Sequence, residues 1–83
     1  MPVAKESTPR QVEFGRRVRA RRTKAKWSQE RLAIEAGLER TYISQLESGR
    51  RNASIENVCK LATALGCDAA SLVRGLQDLR GRT

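Results

Sequence analysis

The segment of residues 40–52 carries polar side chains at the spacing of one helix face. Ile43 and Leu46 are its apolar residues, and helical periodicity puts them together on one side. The other side has polar side chains long enough to reach the edges of nucleic-acid bases: Arg40, Thr41, Ser44 and Gln45. Arginine can pair bidentately with guanine O6 and N7, which discriminates between bases by about 1–3 kcal/mol. The alternative interpretation is a solvated polar face, which is common on any helical bundle.

Further donors stand at the starts of two predicted helices and in the loop after residue 48. A helix N-terminus presents free backbone N–H groups and a positive dipole end, which favour anions such as phosphate. The residues that we predict to contact phosphate are Ser28, Gln29, Tyr42, Arg50, Asn52 and Ser54. Two of them have an alternative role, because Tyr42 can instead pack against the preceding helix and Arg50 can be a solvated loop charge.

Arg21 and Glu47 are charged residues that fall on predicted apolar faces. Each is expensive to bury alone, whereas together they can form a paired, hydrogen-bonded bridge. Our hypothesis is that this ion pair orients the helix of residues 40–48. The other arginines of "FGRRVRARR" spread around their helix, so we expect most of them to be solvated and to attract anions at long range.

The charge balance predicts an anionic partner, because 17 lysines and arginines against 9 acidic residues give a net charge of +8. Nucleic acid is the first candidate. An anionic membrane surface is the second, but the first predicted helix lacks the broad apolar face that insertion needs. No stretch approaches the roughly 20 apolar residues of a membrane span, and no signal-peptide pattern opens the chain, so we expect a cytoplasmic protein without a membrane partner.

The chain has no histidine and two cysteines, which argues against metal and catalytic chemistry. A structural zinc site needs about four Cys or His ligands, and the commonest general base is missing. No paired carboxylates or nucleophile–base arrangement is evident, so the sequence predicts no enzyme, no metal and no cofactor. We expect Cys59 and Cys67 to be buried or half-buried free thiols.

Capping residues and apolar periodicity predict five helices and no strands. They form one domain, residues 9–80, between a loose arm, residues 1–8, and a frayed tail, residues 81–83. The predicted helices begin near Thr8-Pro9, Ser28, Arg40, Ser54 and Asp68, and the first four end near Lys24, Gly37, Ser48 and Gly66. The fifth is expected to continue through Leu79, with Gly75 weakening its middle. The prediction is a compact all-α five-helix bundle.

Helical spacing assigns an inward face to each outer helix. On helix 1 this face is predicted to carry Phe14, Val18, Arg21 and Ala25. On helix 4 it is predicted to carry Ile55, Val58, Cys59, Ala62 and Leu65, with Leu61 at the margin. On helix 5, Val73, Leu76 and Leu79 are candidates for a dimer surface. The alternative is that they cover helices 1 and 4 within the monomer.

The stretch "WSQERLAIEAGLERTYISQLESGRRNASIENVCKLATALG" resembles the lambda repressor/Cro-like helix-turn-helix family, also called XRE. The resemblance covers roughly residues 10–75 and depends on a combination of motifs. These are a serine–glutamine pair opening helix 2, Leu32-Ala33, Ala36-Gly37 and an Ile-x-x-Leu-Glu followed by glycine in helix 3. It implies a helix-turn-helix at about residues 28–48, which binds the major groove of double-stranded DNA as a dimer. It also implies that Gln29 holds a phosphate.

"RTYIS" followed by "RRN" is similar to the small controller proteins of restriction–modification systems. In that subgroup an arginine in the loop after helix 3 also approaches bases. Arg51 occupies the matching place, so the resemblance adds it to the predicted base contacts.

Two functions remain open on this sequence. The first is a sequence-specific transcriptional regulator that binds an operator as a homodimer, with helix 3 in the major groove. The alternative is an antitoxin-type protein that binds a toxin and regulates its own promoter. No ligand-binding domain is evident, so the sequence predicts no small-molecule ligand for either function.

Overall fold

The computed structural model describes residues 7–80, which form five α-helices and one short 3-10 helix. The helices are α1 (Pro9–Lys24), α2 (Gln29–Ala36), α3 (Arg40–Glu47), α4 (Ile55–Leu65) and α5 (Ala69–Val73), and the 3-10 helix spans Leu76–Asp78. These residues contain no strand, so the predicted all-α five-helix fold is confirmed. Most of the predicted arm and all of the predicted tail lie outside the described residues. Between residues 7 and 80, no helix combines the length and apolar character needed to cross a membrane.

Local capping explains where the longer helices begin and end. The Thr8 hydroxyl accepts from the Gln11 N–H while the Gln11 side chain accepts from the Thr8 N–H, which closes a capping box on α1. Ser28 and Ser54 cap α2 and α4 in the predicted way, each hydroxyl accepting a backbone N–H of the first turn. Gly37 ends α2 in the left-handed conformation, with φ of 70°.

The core is built around α3, because α1 and α2 both pack against it and α4 packs against α2 and α5. Ten apolar side chains are buried together: Phe14, Val18, Leu32, Ala33, Ala36, Ile43, Leu46, Leu61, Ala62 and Leu72. Every helix contributes to this cluster. The core therefore holds α3 along one side and leaves its other side open.

The buried face of α4 differs from the prediction. Leu61 is fully buried rather than marginal, while Ile55 and Cys59 are exposed. Successive residues of a helix lie about 100° apart, so a stripe through Val58, Leu61 and Ala62 leaves Cys59 outside it. Ile55 lies in the first turn of α4, next to an exposed loop, and is 83% exposed. The predictions that Ile55 and Cys59 are inward were wrong.

The fifth helix is also shorter than predicted. It ends at Val73, and Gly75 follows with φ of 77°, which a right-handed helix cannot include. The chain then forms the 3-10 helix instead of continuing α5 to Leu79. Asp68 stands at the predicted N-cap, but its side chain makes no capping hydrogen bond.

Candidate nucleic-acid interface

The short helices α2 and α3 pack against each other and are joined by the turn of residues 37–39. Ala33 and Ala36 are buried on α2, where small side chains leave room for the neighbouring helices. Ile43 and Leu46 are fully buried beneath α3. The recognition surface, which we define as the outward side chains of α3 at residues 40, 41, 44 and 45, is therefore turned away from the core.

The four predicted base-contacting residues of α3 differ in exposure. Arg40 and Thr41 are exposed in the first turn, whereas Ser44 and Gln45 are half-buried one turn later. Ser44 also lines an open cleft between α1, α2 and α3. The side chains around this cleft are Val12, Arg16, Arg19, Gln29, Ser44, Glu47 and Ser48. The fold thus brings Gln29, a predicted phosphate contact, beside a predicted base contact.

Tyr42 joins α3 to the loop that follows it. Its ring packs against the core, and its hydroxyl donates to the carbonyl of Asn52 at 3.3 Å. The guanidinium of Arg51 lies over the ring, with Cζ 5.2 Å from the centroid, which is within cation–π range. Arg51 is exposed, so its charged group stays accessible to solvent beside Tyr42.

Glu47 is the centre of a buried polar network at the end of α3. It accepts from Arg22 Nε at 2.6 Å and from Arg22 Nη2 at 2.9 Å, a bidentate pair. The side chains of Glu47 and Arg22 are only 3% and 11% exposed. Gln29 Nε2 donates to Glu47 Oε1 at 3.1 Å, and Arg22 Nη1 donates to the Trp27 carbonyl at 2.7 Å. The hydrogen bond to Glu47 raises the pKa of Arg22 above its ordinary value.

The prediction that Arg21 pairs with Glu47 was therefore wrong, because the cation that pairs with Glu47 is Arg22. Arg21 is exposed and donates from Nη2 to Ser71 Oγ at 3.1 Å. The side of α1 that faces α3 is fixed by Gly15, whose absent side chain lets the backbone of Leu46 come close. Arg22 follows Gly15 by seven residues, or two helical turns, and so lies on the same side. A glycine inside a charged helix was the sequence signal for this contact.

Of the arginines of "FGRRVRARR" that we expected to be solvated, Arg16 and Arg19 are exposed, whereas Arg17 and Arg22 are half-buried. Three of them donate to residues near the C-terminus: Arg10, Arg17 and Arg21. Arg16 forms an ion pair with Glu13 at 2.8 Å. Arg19 is exposed, lines the cleft beside the recognition surface and takes part in none of the ion pairs within residues 7–80. Arg16 lines the same cleft, but its guanidinium is engaged by Glu13, so Arg19 is the better placed of the two for a ligand on α3.

The predicted dimer residues have mixed environments. Val73 is 40% exposed, while Leu76 is half-buried against the core of its own chain. Leu79 is half-buried as well. The alternative, that these residues cover the core within the monomer, therefore holds in part for Leu76. Ile55 is more exposed than any of the three predicted dimer residues.

A buried inner face, a glycine turn and a polar outer face define a helix-turn-helix domain. The chain belongs to the helix-turn-helix family, whose model matches residues 18–72. Among its relatives is the control protein C.BamHI of Bacillus amyloliquefaciens, 48% identical over 61 residues that cover 72% of this chain and 75% of the relative.

Solved structures with the same fold include a controller protein and a repressor. The restriction–modification controller protein C.AhdI from Aeromonas hydrophila has a TM-score of 0.73 and 47% identity, over 75% of this chain and 94% of that one. The P22 c2 repressor, in complex with a synthetic operator, has a TM-score of 0.70 and 37% identity, over the same shares of the two chains. The family resemblance read from the sequence is confirmed.

Proposed function

We propose that the protein is a transcriptional regulator that binds a two-fold symmetric DNA operator as a homodimer, with α3 in the major groove. The observation that carries this proposal is the recognition surface itself. Its hydrogen-bonding side chains face outward while Ile43, Leu46 and Glu47 fix the same helix to the core. A helix held in this way can present donors and acceptors to base edges without reordering.

The proposed base contacts are those expected from the sequence: Arg40, Thr41, Ser44, Gln45 and Arg51. The exposure of Arg40 and the contact of Arg51 with Tyr42 support the two arginines as guanine readers. Ser44 and Gln45, being half-buried, are suited to shorter contacts or to contacts through water.

The proposed phosphate contacts are Ser28, Gln29, Arg50, Asn52 and Ser54, to which we add Arg19. Tyr42 is left out, because its one O–H hydrogen is donated to the Asn52 carbonyl. The hydroxyls of Ser28 and Ser54 accept backbone N–H groups as N-caps, and this leaves each O–H hydrogen free to donate to a phosphate. Arg19 lines the same cleft as Gln29, next to α3. Phosphate contacts of this kind set register and affinity rather than sequence preference.

A homodimer is proposed because one short recognition helix reads only a few base pairs. Two copies would read half-sites about 34 Å apart on one face of DNA. The exposed Val73 supplies apolar surface for such an interface, and the half-buried Leu76 and Leu79 are the other proposed contacts. Because relatives are named as control proteins of restriction–modification systems, we propose that the regulated promoter belongs to such a gene set.

Selection of bound DNA from a random pool tests this proposal. We expect a two-fold symmetric site to be enriched, and its affinity to fall steeply as salt concentration rises. Enrichment of no preferred sequence would contradict the proposal, because only non-specific attraction by the positive charge would remain.

Arg40→Ala is expected to reduce affinity for the selected site by about 1–3 kcal/mol and to relax preference at one base pair of each half-site. The cause is the loss of a bidentate contact to guanine. Fluorescence anisotropy with the selected site and its single-base variants measures both effects. Lys60→Ala is the control, since it removes an exposed charge from α4, outside the proposed surface. If Arg40→Ala kept the base preference of the wild type, Arg40 would not be a base-contacting residue.

Arg19→Ala is expected to weaken binding to the same extent on specific and on unrelated DNA. A phosphate contact contributes one released counterion, so the slope of log K against log salt should fall by about 1 per protomer. Binding titrations at several salt concentrations measure the slope, again with Lys60→Ala as the matched loss of charge. A sequence-dependent loss would instead assign Arg19 to base contacts.

A further inference from the structure

The C-terminal segment, which we define as residues 69–79, is attached to the core by one buried side chain and by the half-buried Ala69 and Leu76. Leu72 is its one buried side chain, and α5 has five residues without a side-chain N-cap. A helix this short has no stability of its own in water. Because this segment carries Val73, its position decides where the proposed dimer surface lies.

Arginine side chains of α1 hold this segment through its backbone carbonyls. Arg17 Nη1 donates to the carbonyls of Leu72 at 3.2 Å and Arg74 at 2.8 Å. Arg10 donates from Nε to the Leu76 carbonyl and from Nη2 to the Gln77 carbonyl, both at 2.9 Å. These four hydrogen bonds, which we call the arginine clamp, reach both the end of α5 and the 3-10 helix.

The chemistry of the clamp suits the end of a short helix. The last carbonyls of a helix have no intrahelical partner, and cations near them also interact favourably with the helix dipole. The carboxylate of Glu13 accepts from Arg17 Nε at 2.9 Å and so fixes the guanidinium plane. Hydrogen bonds from Arg16 and Arg17 lower the pKa of Glu13 to about 2, so this support stays ionised at neutral pH.

α1 thus connects the two surfaces that a dimeric DNA-binding protein must keep in register. On one side, Gly15 and Arg22 join α1 to α3 through close backbone approach and a buried ion pair. On another side, Arg10 and Arg17 join it to the C-terminal segment. The distance from the recognition surface to Val73 therefore depends on α1 and its two sets of contacts, together with the packing of α5 on α4.

We propose that Arg10 and Arg17 are positioning residues that set the spacing between the two recognition helices of the dimer. The proposal depends on the dimer given under the proposed function, and it adds a specificity for half-site separation. Without the clamp, the C-terminal segment is free to shift against α1. The dimer then weakens and tolerates half-sites at altered spacing.

The test uses the full chain with Arg17→Lys, Arg10→Lys and the double variant. Lysine keeps the charge but lacks the planar guanidinium, with which Arg10 reaches two carbonyls and Arg17 binds Glu13 and the segment at once. Lys24→Ala is the control, because it changes a charge on the exposed end of α1. Sedimentation equilibrium gives the dimer dissociation constant. Anisotropy compares the selected operator with the same operator carrying one inserted base pair at its centre, which rotates the half-sites by about 35° relative to each other.

We expect each single variant to raise the dimer dissociation constant at least tenfold while affinity for an isolated half-site stays within twofold. We expect the inserted base pair to cost the wild type and Lys24→Ala at least 30-fold in affinity, but the double variant less than fivefold. The spacing ratio is the affinity for the selected operator divided by the affinity for the operator with the inserted base pair. A purely structural role for the arginines would lower the stability of the protein without changing this spacing ratio.

The outcomes separate the two proposals. A wild type that stays monomeric at tens of micromolar overturns the proposed dimer, and this inference with it. A dimeric wild type whose variants keep the same dissociation constant and the same spacing ratio overturns the clamp alone. If Arg17→Lys fails to fold, Arg10→Lys decides the question, because its two hydrogen bonds lie at the exposed end of the segment.

Discussion

Glu47→Ala is expected to lower the free energy of unfolding by about 3–5 kcal/mol, the cost of removing one member of a buried ion pair. The carboxylate is almost completely buried and accepts from both Arg22 and Gln29. Its loss leaves the Arg22 guanidinium buried without an anion. Urea denaturation followed by circular dichroism measures the change. Operator affinity should fall as well, because Glu47 ties the end of α3 to α1 and α2.

Glu35→Ala provides the matched control, since Glu35 pairs with Arg31 across one turn of α2 and both side chains are exposed. Such a pair contributes less than about 1 kcal/mol. Arg21→Ala should also change the free energy of unfolding only slightly, because Arg21 is exposed. Arg22→Ala should lower it strongly, because Arg22 is the partner of Glu47. A Glu47→Ala protein that is as stable as Glu35→Ala would contradict the role that we assign to the buried pair.

Gly15→Ala is the second substitution with a large expected effect. A Cβ atom at residue 15 would lie 2.1 Å from the Leu46 carbonyl oxygen and 3.1 Å from the Glu47 Cα. These are backbone atoms, so α1 and α3 must move apart, and we expect a loss of about 3 kcal/mol or more. Helix propensity alone would favour alanine by about 1 kcal/mol. The sign of the change in thermal and urea stability therefore decides between steric conflict and propensity.

Gly37→Ala serves as the comparison for Gly15→Ala. Nothing lies within 4 Å of a Cβ at residue 37, but φ is +70°, so only left-handed strain of about 1–2 kcal/mol is expected. If Gly15→Ala were the milder of the two, close packing of α1 on α3 could not be what fixes the side of α1 that faces the core. Disruption of the Arg22–Glu47 pair in Gly15→Ala would add to the loss, because both features lie on that side.

The recognition surface could be predicted because its signals are local. Ser28 and Ser54 cap helices through bonds to residues three positions away, and Gly37 ends α2 through its own backbone freedom. Alternation of apolar Ile43 and Leu46 with polar neighbours then separates the two sides of α3. Each of these inferences needs only residues within one or two helical turns, so the first four helices and the polar side of α3 follow from sequence alone.

The partner of Glu47, the buried side of α4 and the path after α5 were decided only by tertiary structure. Arg21 and Arg22 lie about 100° apart on α1, so which of the two faces α3 depends on how that helix is rotated about its axis. That rotation depends on where α1 crosses α3 at Gly15, a contact between residues about thirty positions apart in the chain. The arginine clamp likewise joins Arg10 to Leu76 and Gln77. Sequence by itself determined the first four helices and the polar face of α3, because capping and periodicity act over a few residues. Only the packing of distant segments determined which charges meet.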